Sequence, residues 1–434
     1  MNQRSSSPTM RLEEISSQLP DYNPNALSVA MATEVISQFV SVTNVSETVD
    51  IRNALGRHLA EDIISPINVP SHDNSAMDGY AFGYPHPAEH PNNDFRIIGA
   101  TFAGHPFVGD IQSGECVRIM TGAMIPMGCD TIVPQELTKS VTDSTVSIPL
   151  SHLRKGDNLR CAGEDLSEGK IALAQGKMLR PADLGLLASL GISKVLVRRR
   201  LRVAYFSTGD ELRGLDETLD AGCIYDSNNY TLQAMLTRLG CDAVDMGIIK
   251  DDPAILEASF RQACESADIV ITSGGVSVGM ADYTKQVMAH LGDVAFWSID
   301  MRPGKPMAFG KIFSDDHSAY LFGLPGNPVA VMVTFYFFVR PAILRMMGAV
   351  NTQPLMIPAI SKYTIKKRPG RTEFQRGIAS LNEGGELEVV LTGAQGSGML
   401  RSMAEANCII VLPHEQQHIN AGNKVMLVLF EGLI

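Results

Sequence analysis

Residues 267–285, ADIVITSGGVSVGMADYTK, decide the fold of this chain. Ile269, Val270 and Ile271 are β-branched and stand between Asp268 and Gly274, so they predict a buried parallel strand. Gly274, Gly275 and Gly279 let backbone N–H groups approach an anion closely, and Ser273 and Ser277 add hydroxyls beside them. A helix predicted over 281–291 would turn its partially positive N-terminus toward the same spot. Any tight strand-to-helix turn needs glycine, so the loop carries weight only through its surroundings.

Outward from this stretch, residues 201–348 alternate strand and helix. LRVAYFS, AVDMGII and DIVIT read as strands, 228–239 and 253–264 as helices, and further strands fall near 294–299, 307–309 and 320–322. Alternation of this kind predicts a mostly parallel sheet with helices on both faces, an α/β/α domain with its ligands beyond the carboxyl ends of the strands. The polar motifs fall there: Ser207–Glu211, Asp251-Asp252-Pro253, the glycine loop, the run RPGKP at 302–306 and the run GLPGNP at 323–328. Asp252 before Pro253 is a ready helix N-cap, which leaves Asp251 without a structural role.

On either side the text changes. Residues 66–163 and 353–434 carry short β-type runs split by glycine, predicting two small β domains. Residues 1–65 and 164–200 read as a discontinuous N-terminal domain, with the returning segment expected to pack on a first amphipathic helix over 26–39. The segment SPINVPSHDNSAMDGYAF at 65–82 is a loop dense in Asp, Asn and Ser, which composition alone assigns to a surface turn.

The 434 residues exceed one ordinary core. A net charge of −11 gives no overall field that draws nucleic acid or an anionic membrane, so an anionic ligand must be held locally. Seven scattered cysteines without a C-x-x-C pair argue against a disulfide framework and a zinc site, and the polar N-terminus lacks an apolar signal segment. A cytoplasmic location is expected. The apolar run 329–339 is about half the length a membrane span requires and reads as a core helix.

Asp210, Glu211, Asp251 and Asp282 are expected at one sheet edge beside a phosphate-sized loop. Carboxylates there repel an anionic ligand unless a hard divalent cation lies between, so the set implies Mg²⁺. Solvated loop carboxylates remain the alternative for each. Arg302, Lys305, Arg371 and Arg376 suit an oxyanion or are solvated turn cations, and Ser397 within GAQGSG at 393–398 offers a further donor.

Seven motifs in order, SPINVPSHDNSAMDGYA, RIMTGAMIPMGCDTIVPQE, FSTGDEL, SGGVSVGMADYTK, RPGKP, GLPGNPV and RTEFQRG, closely resemble the molybdopterin molybdenumtransferases, the bacterial MoeA family related to the second domain of gephyrin. The resemblance covers almost the whole chain. It implies a sheet domain of the molybdopterin-binding type within an elongated four-part subunit. The implied reaction inserts molybdate into adenylylated molybdopterin, with Mg²⁺-dependent release of AMP, in a homodimer whose β-domain loops face the partner's sheet domain. Carried over by motif, Asp78, Thr121, Asp165, Glu211, Asp251 and Asp282 match catalytic positions, the sheet-domain acids Glu211, Asp251 and Asp282 being the metal ligands. Pro325 and Pro328 match the pterin-side loop, and Arg302, Lys305, Arg376 and Ser397 match molybdate-side positions. The chain departs at Ser298 and Arg302, where some relatives carry Lys, and at Ala330, where Ser is frequent. Two alternatives stand beside this expectation: the adenylyltransferase of the preceding step, which would not need residues 1–200 or the last β domain and is also a possible delivering partner, and a non-catalytic pterin-binding scaffold.

Overall fold

The computed structural model describes residues 11–85, 93–139, 141–276 and 282–430, apart from the side chain of Asp282. Its centre is a six-stranded sheet built from β1 (Arg202–Thr208), β2 (Asp242–Ile249), β3 (Ile269–Ser273), β4 (Gly292–Ser298), β5 (Pro306–Ser314) and β6 (His317–Leu324). The spatial order is β2-β1-β3-β6-β5-β4. Strands β2, β1, β3 and β6 are parallel neighbours, whereas β6-β5 and β5-β4 are antiparallel. The antiparallel edge follows from a two-residue hairpin loop at Asp315-Asp316, where Asp315 adopts φ 48°, a conformation Asp tolerates better than most residues.

Alternation along β1 makes the three layers. Val203 and Tyr205 enter one core with Leu232, Met235 and Leu236 of the helix Ser227–Arg238, while Ala204 and Phe206 enter the other with Leu256 and Phe260 of the helix Pro253–Ser266. That second helix begins as expected, with the Asp252 carboxylate accepting from the N–H groups of Ala254 and Ile255 at 2.9 and 3.0 Å.

The apolar run near 329–339 lies in a continuous helix, Pro328–Met346, long and apolar enough by length and composition to cross a membrane but 78% buried within this fold. Five of its residues, Phe335–Val339, widen into a π turn immediately before Pro341, whose missing N–H interrupts the regular ladder.

The last β unit is a barrel. Strands Thr372–Leu381, Leu387–Leu391, Ile357–Ser361, Lys424–Leu429 and Cys408–Leu412 pair in that order, and the last pairs again with the first. Met301–Arg302 joins it as a short parallel strand beside Thr372-Glu373. Barrel and sheet domain also share one apolar core, in which Phe374, Met403, Ile409 and Val428 pack with Phe335 and Tyr336.

A five-stranded sheet, in the order Thr131–Pro134, Gly79–Phe82, Glu115–Ile119, Asp94–Thr101, Thr145–Ser147, forms the inserted β unit. The returning segment does not pack on the first helix. Its strand Lys194–Arg198 pairs with Ser46–Asp50, and Leu173, Leu187, Val195 and Val197 share a core with Leu59 and Ile63. The helix Val29–Phe39 instead buries Val35, Ile36 and Phe39 in the core of the sheet domain, because its apolar stripe meets Phe309 and Tyr320 edge-on. All seven cysteines are free thiols.

Candidate active site

Beyond the carboxyl ends of β1, β3 and β6 lies a cleft of about 660 Å³. Glu211, Asp251, Ser273, Gly274, Gly275 and Pro328 line it as the sequence predicts. Gly274 and Gly275 have φ of 92° and 68°, and a Cβ at Gly274 would stand 2.5 Å from the Thr208 carbonyl oxygen, so no other residue fits there. The Ser273 hydroxyl is buried and accepts a 2.7 Å hydrogen bond from Asn228 Nδ2. The same amide donates to the Gly326 carbonyl at 2.7 Å, so Asn228 ties the glycine loop to the 323–328 loop. Pro325 is buried and does not line the cleft, whereas Pro328 opens its helix at the rim. Ser277 and Gly279 lie outside the described residues, as does the side chain of Asp282, whose backbone begins the helix Asp282–Leu291.

Burial first, then the charges of Asp210 and Glu211, push the carboxyl of Asp251 above the usual range. The set therefore favours a cation. Among the described residues no three acidic, His or Cys side chains form a preassembled metal cluster. That donor set fits Mg²⁺ nonetheless, because Mg²⁺ is commonly held by one or two carboxylates together with substrate phosphate and water.

Asp78, Thr121 and Asp165 do not line this cleft. Asp78 and Thr121 end neighbouring strands of the inserted β unit, and Asp78 Oδ1 accepts from the Thr121 N–H at 2.7 Å and from its hydroxyl at 2.8 Å. Those two bonds, the backbone one foremost, hold the fully exposed Asp78 carboxyl below the usual range. Asp165 is exposed on a turn whose N–H bonds to the Val69 carbonyl at 3.1 Å.

The four molybdate-side residues do not line one cavity. Arg376 is 1% exposed. Its guanidinium donates to the carbonyls of Ala394, Gln395 and Gly396 and to the Ser402 hydroxyl, so its first task is to hold the 394–396 turn. Burial, then the charge of Arg302, brings its pKa down to about 10. Ser397, in the same turn, accepts from the Val329 N–H at 3.1 Å through its carbonyl, which seats Gly398 and Leu400 on the rim of the cleft. Arg302 and Lys305 are exposed. Arg302 lines a separate basic cavity of about 620 Å³ with Lys366, Arg368, Arg371 and His418. Ala330 is buried, and Ser298 hydrogen-bonds through its backbone to residues 24 and 27, so neither departure from the family pattern faces the cleft.

Sequence inspection missed Asp226, Asn228 and Leu400 as lining residues. Asp226 carried a legible signal, since Asp directly before a helical run marks an N-cap, and its Oδ1 accepts from the N–H groups of Asn228 and Asn229. Leu400 carried none, because it reaches the cleft only through the short helix Leu400–Glu405.

Three family models match in order along the chain: the MoeA N-terminal region (domain I and II) over residues 27–191, the probable molybdopterin binding domain over 204–345, and the MoeA C-terminal region (domain IV) over 358–430. This chain belongs to the MoeA family of molybdopterin molybdenumtransferases. Proteins of that name from Haemophilus influenzae and a Nostoc species are 44% and 38% identical to it, over 90% and 88% of this chain and 95% and 88% of their own. A crystal structure of the molybdopterin biosynthesis MoeA protein from Pyrococcus horikoshii superposes with a TM-score of 0.80 at 26% identity, covering 94% of this chain and all of that one. The MoeA match extends through the inserted β unit and the barrel, which the adenylyltransferase reading would leave without a use.

Proposed function

We propose that this chain completes a step of molybdenum cofactor biosynthesis, inserting molybdenum from molybdate into the dithiolene of adenylylated molybdopterin with release of AMP. The observation that carries this reading is the cleft beyond β1, β3 and β6, where a glycine loop suited to phosphate faces carboxylates whose desolvation and mutual repulsion favour a cation. The N–H groups of Gly274 and Gly275 hold the phosphate end, and no side chain at either position crowds its approach. Glu211 and Asp251, with Asp282, would hold Mg²⁺, which when bound neutralises charge on the phosphoryl oxygens. Arg302 and Lys305 attract the oxyanion, while Arg376 fixes the turn that carries Ser397.

Asp78, Thr121 and Asp165 complete the site from the partner in a homodimer, which accounts for their distance from the cleft of their own chain. The Asp78–Thr121 pair is a carboxylate held ionised in a fixed direction, suited to orienting a water or a substrate N–H. The protein works in the cytoplasm and receives its adenylate from the adenylyltransferase. Purified protein given adenylylated molybdopterin should release AMP only when molybdate and Mg²⁺ are both present. Release without molybdate, or none with both, overturns the assignment.

A further inference from the structure

Among the described residues, three polar side-chain atoms on the wall of the cleft are buried and without partners: Thr208 Oγ1, Asp226 Oδ2 and Asn228 Oδ1. Their residues are 4%, 4% and 7% exposed. Buried polar atoms without partners are uncommon and costly, so each calls for a reason. The three divide by chemistry. Thr208 Oγ1 is a hydroxyl lying beneath Gly274 and Gly275, about where a Cβ on either would touch it, and it can donate to a phosphate oxygen. The other two only accept. The remaining oxygen of Asp226 is committed to the helix N-terminus, and both amide hydrogens of Asn228 are committed to Ser273 and Gly326, so neither side chain can turn a donor toward the cleft without breaking those bonds.

An acceptor-only patch repels phosphate and molybdate and calls for N–H groups. Beside it the cleft wall is apolar and aromatic: Ile224 and Tyr225 remain 56% and 42% exposed, although both are of types usually covered. A flat ring lying against Ile224 and Tyr225 would present its edge to Asp226 and Asn228.

We propose that Asp226 and Asn228 read the donor edge of a 2-amino-4-oxo heterocycle, in which an exocyclic amino group and a ring N–H stand side by side, and so determine which end of the substrate enters this part of the cleft. The inference rests on the reading that the cleft holds a pterin. It orients that ligand with its phosphate at the glycine loop and its ring at the N-terminus of the helix Ser227–Arg238. An adenine edge alternates donor and acceptor and meets the pair less well.

The test uses the full-length protein, with 6-hydroxymethylpterin and its 2-oxo analogue 6-hydroxymethyllumazine as probes and inorganic pyrophosphate as the control for the glycine-loop end. The wild type should prefer the 2-amino compound about tenfold or more, since a site built for a donor rejects an analogue lacking it. Asp226→Asn keeps the capping oxygen and turns the second into a donor, and Asp226→Ser keeps a cap and removes it. Both should fold with unchanged unfolding temperature, lose the preference and bind pyrophosphate as before. Equal binding of the two ring compounds by the wild type, or a preference that survives both substitutions, overturns the inference while leaving the pterin in the cleft. Binding of pyrophosphate but of neither ring compound overturns the inference and the pterin assignment together.

Discussion

Two exposed carboxylates, Asp251 and Asp78, stand in opposite electrostatic conditions. Asp251, exposed as a residue but with its carboxyl partly desolvated, sits beside Asp210 and Glu211, and that desolvation and repulsion raise its pKa. Asp78 accepts two hydrogen bonds from Thr121, which lower its own. The first is poised to gain from a cation and the second is already satisfied without one. Sharing a residue type and an exposed loop therefore says little about role; the donors and charges within a few ångströms decide it.

The largest effect expected from that contrast is at the Asp251 end. Glu211→Gln and Asp251→Asn should bind the adenylylated pterin but release AMP about a hundredfold or more slowly, because they remove charge from a site that stabilises developing phosphoryl charge. Normal turnover in both across a Mg²⁺ titration would erase the distinction between the two carboxylates.

Next comes the arginine pair proposed for the molybdate side. Arg376→Ala leaves three carbonyls and a hydroxyl without their donor and should lower stability by about 3 kcal/mol while loosening molybdate binding, both through the 394–396 turn. Arg302→Ala, at an exposed position, should change stability by less than about 0.5 kcal/mol and weaken molybdate alone. Thermal unfolding and molybdate titration on both proteins check this, and equal unfolding temperatures would return Arg376 to a purely ligand-binding role.

A fourfold effect is expected from subunit mixing. Asp78→Ala and Glu211→Ala homodimers should each be nearly inactive, yet co-refolded at equal ratio about half the dimers are mixed with one intact site of two, so about a quarter of wild-type activity should return. Mixed dimers as inactive as their parents would place both carboxylates in one site of one chain.

The smallest effect is a pH dependence. Protons compete with a cation for Asp251, whose pKa is raised, so half-saturation by Mg²⁺ should move to higher concentration as pH falls from about 7 to about 5, by a few fold. Asp78, with a lowered pKa, stays ionised over that range. Asp251→Asn should flatten the trend, and an unchanged slope in that variant would assign the titration elsewhere.

Much of the sheet domain was legible because its signals are local. The run Asp251-Asp252-Pro253 gave both the N-cap and, by elimination, the carboxylate left over for the cleft. Gly274 stands where only glycine fits, and Gly275 takes a left-handed φ of 68° beside it. What escaped depends on distant pairing. Barrel closure joins Thr372–Leu381 to Cys408–Leu412 across about thirty residues, and no spacing encodes it. Arg376 matches the molybdate side by motif, and no local pattern shows that its guanidinium meets the carbonyls of residues 394–396. The first helix was assigned to the wrong neighbour, since an amphipathic stripe shows that a partner exists without naming it.

The apolar core common to the first helix, the sheet domain and the barrel has a calorimetric consequence. Phe39, Phe309, Phe335, Phe374 and Val428 belong to one continuous cluster, whereas the inserted sheet packs around its own, with Phe82, Phe95 and Val133. Residues 11–40 and 201–430 should therefore melt as one cooperative block, separately from the insertion, giving more than one heat-absorption peak from a single polypeptide. Trimming the chain before residue 40 should lower the peak of the larger block even though it removes nothing that lines the cleft.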